Sequence, residues 1–322
     1  MKKNLKFGTI LVVCLALFAG ITLLFAGCNP SGQANPSEDG CTTIVCTNFA
    51  GYDLARALLT NYQKAGGEGK VELILLGKDG QDMHSYEPTA ADIMTISRAD
   101  VLVCVGAEQW LDAAISSSGN QNLIRVSMME VCDTIEGDHD HDHGGEDCTL
   151  IGQDEHVWLS VENAIRISGA IQNGICKADE ENAYVWTSCG EACNAELTAL
   201  RDEYTAMMAG ATRNTVVIAD RYPFAYLFRD LGLGCVAAFP GCSSETSASF
   251  ATQTMLIEKT RELGLSYIFV MEGSDQKVAG VVASETGAEI LTLNSMQVVT
   301  DRESTYIQIM KYNLEQLKKA LY

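Results

Sequence analysis

Basic side chains are in short supply: the 322 residues include 22 Lys and Arg against 42 Asp and Glu, a formal net charge of −20. Such a surface repels nucleic-acid phosphates, so nucleic acid is excluded as a partner. Cations are its natural company, beside the simpler service that acidity gives to solubility. Histidine and proline number only five each. Neither an HExxH run nor a G-x-S-x-G elbow occurs, which removes the usual signatures of zinc hydrolases and serine esterases. None of the twelve cysteines forms a CxxC pair, so neither a zinc ribbon nor a thioredoxin centre is encoded. Cys189 and Cys193, four apart on an expected helix, read first as small residues on a packed face and second as a chelate for a soft metal. What the chain does have is apolar material: 47% hydrophobic residues against 20% charged suffice for one large domain or two smaller ones.

The N-terminus opens with Lys2, Lys3 and Lys6, followed by an apolar run from Phe7 to Gly27 without a charge, the pattern of an export signal. A helix of about 20 residues is also long enough to span a bilayer uncleaved, so the end of the run decides between the two. There Leu24-Phe25-Ala26-Gly27-Cys28 resembles the lipobox of bacterial lipoproteins, with Phe25 where Leu is usual. Residues 1–27 are therefore expected to be a lipoprotein signal peptide and Cys28 the lipidated N-terminus. Residues 28–40, rich in Pro, Ser, Gly and Asn, read as a flexible tether. The body would then lie outside the cytoplasmic membrane, anchored to it by lipid.

Short β-branched runs alternate with helical stretches twice over, the signature of parallel sheets with crossover helices. Strands are expected near Thr43–Thr47, Val71–Leu76, Val101–Val105 and Leu123–Val126, and again near Thr215–Ala219, Cys235–Phe239, Tyr267–Met271 and Glu289–Leu293. Between the sets, residues 161–210 carry no strand signal, and Leu197, Leu200, Tyr204 and Met207 recur at helical spacing. The expected architecture is α/β: lobes over 41–160 and 211–322, each with a four-stranded parallel sheet flanked by helices, joined by linker helices over 161–210. Ile307, Met310, Leu314, Leu317 and Leu321 mark a closing amphipathic helix.

Residues 137–147 break the pattern. Gly137-Asp138-His139-Asp140-His141-Asp142-His143-Gly144-Gly145-Glu146-Asp147 has no apolar residue, so it reads as a loop. Its alternating imidazoles and carboxylates offer weak ligand sets to a cation such as zinc, and His139, His141 and His143 are expected to collect metal. The other two histidines, His84 and His156, fall in loops where an α/β architecture places ligand contacts. Each taken alone is more often a packing residue than a ligand.

The runs His84-Ser85-Tyr86-Glu87-Pro88-Thr89, Val105-Gly106-Ala107-Glu108-Gln109-Trp110-Leu111 and Glu155-His156-Val157-Trp158-Leu159-Ser160 occur in that order. Together they resemble the solute-binding proteins of zinc and manganese ABC importers, the ZnuA and TroA types. The resemblance runs from about Thr43 to the C-terminus. It implies two lobes joined by one long rigid helix, a metal held between them, and His84 and His156 as first-lobe ligands. It also implies a monomeric, non-enzymatic receptor that captures zinc before manganese and delivers it to a membrane permease.

The second lobe departs from that pattern. Arg221, in Asp220-Arg221-Tyr222-Pro223-Phe224-Ala225-Tyr226, stands where a His or Glu ligand is expected, and Arg has no lone pair to give. Asn294 stands where Asp is common and offers only a neutral carbonyl oxygen. Glu245 and Glu272 follow expected strands in the same lobe, so Arg221 is expected to pair with one of them, fixing a ligand or bridging the lobes. Asn294, Glu245 or Glu272, with water, would complete a shell begun by two imidazoles. The rivals are a zinc-dependent hydrolase, and a receptor or adhesin of the same fold with an altered ligand held by Arg221.

Overall fold

The computed structural model describes residues 40–135, 153–239, 241, 248–298 and 301–322. The signal run, Cys28, the tether up to residue 39, His139, His141, His143 and Glu245 lie outside the described residues.

The first sheet is built from β1 (Cys41–Cys46), β2 (Lys70–Leu75), β3 (Val101–Cys104) and β4 (Ile124–Ser127), all parallel, in the order β2-β1-β3-β4. Every residue of β3 is buried, as a parallel strand covered on both faces requires. The second sheet repeats the plan with β5 (Thr215–Arg221), β6 (Gly234–Phe239), β7 (Tyr267–Met271) and β8 (Glu289–Leu293) in the order β6-β5-β7-β8. β7 and β8 have the bounds expected from sequence, and the other strand ends move by at most two residues.

Helices α1 (Phe49–Lys64), α2 (Ala90–Ile96) and α3 (Leu111–Ser118) belong to the first sheet, and α6 (Ala225–Leu231), α7 (Phe250–Glu262), α8 (Lys277–Thr286) and α9 (Tyr306–Leu321) to the second. Local chemistry sets their starts. Asn48 caps α1 through Gly51 N, and Thr89 with Asp92 forms a capping box on α2, as Thr305 with Gln308 does on α9. The Val105–Leu111 run is a brace for the loop after β3: Glu108 accepts Thr47 Oγ1 at 2.5 Å, Val105 N at 2.9 Å and Gly106 N at 2.7 Å. Gly106 has φ +102, and a Cβ there would lie 2.3 Å from Ser127 Oγ, so the turn admits only glycine.

The linker is a helical hairpin, α4 (Val161–Ala178) folded against α5 (Ala183–Gly210). The break falls at Asp179, whose carboxylate accepts Asn182 Nδ2 and Trp186 Nε1 and so gives the backbone an alternative to helix. At 28 residues α5 runs about 42 Å and is the rod between the sheets. Its buried stripe, Leu197, Leu200, Tyr204 and Met207, joins a hydrophobic cluster that runs from Ile44 in β1 to Leu321 in α9. Trp186, fully buried, stacks on Tyr62 of α1 with ring centroids 4.0 Å apart. At the other end Tyr204 OH donates to Met310 O at 2.7 Å. Trp186→Ala empties the first anchor, and urea unfolding should show a loss of about 3–5 kcal/mol, as truncation of a buried Trp does elsewhere.

Candidate metal centre

All the loops in question leave the C-terminal ends of parallel strands, where the two sheets present their ligand-binding edges. After β2 the chain forms a short 3-10 turn, Met83–Ser85, capped by Asp82, whose Oδ1 accepts His84 N at 3.0 Å. This turn is stitched to the second lobe: Asp82 bridges Val298, and Met83 N donates to Gln297 O at 3.4 Å. The second histidine comes from the entry to α4. Asp154 folds back so that Oδ1 accepts His156 N at 2.8 Å, and a further 3-10 turn, Val157–Leu159, leads into the Ser160 cap of α4.

The two imidazoles converge. His84 Nε2 and His156 Nε2 lie 3.4 Å apart, with ring planes inclined by 66°. Each ring's other nitrogen meets a carboxylate: His156 Nδ1 lies 2.9 Å from Asp154 Oδ1, and His84 Nδ1 lies 3.1 Å from Glu155 Oε1. A carboxylate can only accept, so each Nδ1 carries hydrogen and each Nε2 lone pair is turned to the common point. Two nitrogens bound to one tetrahedral zinc at 2.0–2.1 Å stand about 3.3 Å apart, so the observed separation fits that ion without rearrangement. His156 is 2% exposed and backed by Trp158, whereas the His84 and Glu155 side chains are 25% and 27% exposed, so the centre opens on their side. Donor atoms of His84, Glu155 and His156 fall within 4.8 Å of one another, the one such cluster among the described residues. Burial pushes the Glu155 carboxyl up, but the hydrogen bond from His84 and the positive charge that His84 and His156 carry when protonated outweigh it and hold the group below its ordinary value.

The second-lobe residues are placed otherwise. Glu272 is half-buried and committed to its own lobe, accepting Ser295 N at 2.7 Å, Ser295 Oγ at 2.6 Å and Gln297 N at 3.3 Å. It shapes the loop after β8 and does not pair with Arg221. Asn294 is tied down as well: its Oδ1 accepts Met296 N at 2.8 Å, while its backbone N and O are both held by Asn313. Arg221, at the end of β5, reaches across to the first lobe, with Nη1 3.8 Å from Asp82 Oδ2. Among the described residues, the arginine's acid is therefore one of the His84 turn and not the expected Glu272, while Glu245 lies outside the described residues. Asp82, Asp154 and Glu155 received no role from sequence. An acid one or two positions before a lone histidine was the available signal, because an Asx-type turn there brings the carboxylate back to the ring.

Cys189 and Cys193 are buried on α5, where Cys193 Sγ accepts Asn61 Nδ2 at 3.3 Å. Burial pushes the thiol of Cys193 up to about 11, and likewise those of Cys104 and Cys132 to about 12. They are packing residues.

The sequence model of the ZnuA family, described as the zinc-uptake complex component A, periplasmic, matches residues 44–320. The high-affinity zinc uptake system protein ZnuA of Bacillus subtilis (strain 168) is 29% identical over 319 residues, covering 95% of this chain and 97% of that protein. Among solved structures, the metal-dependent lipoprotein YcdH from Bacillus subtilis superposes with a TM-score of 0.71 at 27% identity, covering 87% of this chain and all of that one. The Zn(II)-bound ZnuA-like domain of Streptococcus pneumoniae AdcA gives 0.69 at 25% identity, covering 88% and 99%. With the two-sheet plan and a paired-histidine centre at the facing sheet edges, the match over residues 44–320 makes this chain a member of the ZnuA family of zinc-uptake components.

Proposed function

We infer that this chain captures zinc, with manganese as the second choice, outside the cytoplasmic membrane and hands it to the permease of an ABC importer. The observation that carries the reading is the 3.4 Å separation of two Nε2 atoms whose rings are each held from behind by a carboxylate. His84 and His156 are the imidazole donors. Asp154 fixes the buried ring, and Glu155 both steadies the exposed ring and lies within reach as a third donor. Imidazole donors favour zinc over manganese, which prefers oxygen. A hydrolase reading gains nothing from the uptake family to which the chain belongs. Residues 1–27 and Cys28 would supply the signal and lipid anchor, in keeping with the lipoprotein nature of the relative YcdH. His139, His141 and His143 would collect ions for the centre, and the receptor would act as a monomer.

Protein purified without added metal should hold one zinc by elemental analysis. His84→Ala and His156→Ala should each abolish tight binding, whereas Asp154→Ala and Glu155→Ala should weaken it about 10–100-fold. Loss of zinc in none of these variants places the ion elsewhere. Protons compete with the metal for Nε2, so the Kd should rise as pH drops through about 6.5. Because Glu155 is held below its ordinary 4.5, a fall between pH 7.5 and 5 reports the imidazoles and not that carboxylate. An unchanged Kd at pH 5 would count against the histidine centre. Finally, Cys28→Ser should move the protein from the membrane fraction to the soluble one, and retention in the membrane would mean an uncleaved N-terminal anchor.

A further inference from the structure

Asp154 Oδ1 holds both His156 N at 2.8 Å and His156 Nδ1 at 2.9 Å, so the direction of that ring follows wherever the Asp154 backbone is fixed. The fixing comes from the second lobe. Tyr226, the second residue of α6, is fully buried, and its hydroxyl donates to Asp154 O at 2.7 Å while accepting Ile135 N at 2.9 Å. Asp154 N donates in turn to Ile135 O at 3.1 Å, so the three residues close a ring of hydrogen bonds. Burial pushes the Tyr226 hydroxyl up to about 12, and it therefore keeps through neutral pH the hydrogen that Asp154 O accepts. The hydroxyl also has a fixed seat. Phe224 and Phe228 beside it on the chain are buried, and the Arg229 guanidinium lies 5.1 Å from the centre of the Tyr226 ring while its Nη1 donates to Asp133 O at 3.4 Å. From the other side Arg166 of α4 pairs with Asp133 at 2.8 Å. The contacts of Trp158 and Tyr306 hold the chain beyond His156. Tyr226 holds it ahead of that ring, where the orienting carboxylate originates.

We propose that Tyr226 is a positioning residue of the metal centre: from the second lobe it sets the Asp154 backbone, through Asp154 it aims His156 Nε2, and the time zinc stays bound is governed by the seating of α6 on the first lobe. This rests on the zinc reading above. The route runs through one side chain, so the hydroxyl matters to the ion only while the Asp154 carboxylate is there to relay it. A shift of α6 away from the first lobe would break the contacts to Asp154 and Ile135 together, because both meet at a single oxygen.

The test follows zinc leaving the full chain by stopped flow, with a chromophoric chelator in excess. Tyr226→Phe keeps the ring and its packing and deletes only the oxygen, and zinc should leave it roughly tenfold faster, the low end of what losing a partner behind a metal-bound imidazole does elsewhere. Tyr204→Phe deletes a similarly buried hydroxyl, the donor to Met310 O, and should keep the parent rate. Asp154→Ala and the double variant Asp154→Ala/Tyr226→Phe should release zinc at one rate, since the relay is already gone, whereas independent damage would multiply the two effects. With cobalt(II) in place of zinc, Tyr226→Phe should shift the visible absorption bands, because a re-aimed imidazole changes the ligand field, and Tyr204→Phe should leave them in place. A parent-like rate in Tyr226→Phe, an equal acceleration in Tyr204→Phe, or a double variant faster than Asp154→Ala overturns the positioning role while zinc binding by the parent stands. A parent that binds no zinc overturns both readings.

Discussion

An imidazole directs a lone pair at a cation only if its other nitrogen carries the hydrogen and something holds the ring plane. Here that constraint is met twice by consecutive residues. Asp154 and Glu155 reach in different directions from one turn, the first to the buried ring of its own segment, the second to a ring 71 positions earlier in the chain. The arrangement has a local cost. Asp154 spends Oδ1 on both His156 N and His156 Nδ1, and its Oδ2 is buried without a hydrogen-bond partner among the described residues. A structure built only for stability would satisfy that atom. Retaining it is intelligible if the aim of His156 Nε2 matters more.

Among the described residues, the second lobe contributes alignment more than donors. Tyr226 OH donates to Asp154 O at 2.7 Å, Trp158 Nε1 donates to Ser295 O at 2.9 Å, and Tyr306 OH donates to Trp158 O at 2.7 Å. The segment bearing His156 is thus pinned from three elements of the other sheet's side. The His84 turn is pinned by the bridge to Val298. A second set of ties joins α1 to the start of α9, where the buried Asp53 carboxylate accepts Tyr306 N and Arg56 donates to the carbonyls of Arg302 and Ser304. Separating the lobes would therefore do more than draw Arg221 away from the His84 turn. It would release the backbone of both histidine segments at once and loosen the aim of the rings.

The fold was legible because parallel strands buried on both faces write themselves as β-branched runs, and β7 and β8 could be bounded to the residue. The linker hairpin was less so, since the turn at Asp179 depends on side-chain hydrogen bonds within an otherwise helical composition. At the centre, His84 and His156 stood out through scarcity. The carboxylates behind them did not, because an acid in an acidic chain carries no contrast. The pairing of Arg221 with Asp82 joins residues of different lobes, and nothing local distinguishes Asp82 from Glu272 until both are placed.

The buried thiols carry a consequence for discrimination among cations. Zinc, cadmium and mercury bind sulfur only as thiolate, and burial keeps Cys104, Cys132 and Cys193 protonated far above neutral pH. A cysteine-rich body outside the reducing cytoplasm would otherwise be a sponge for soft, toxic ions. With these three sulfurs held as neutral packing groups, they offer such ions no ready anchor, in contrast to the nitrogen and oxygen atoms of the histidine pair and its carboxylates.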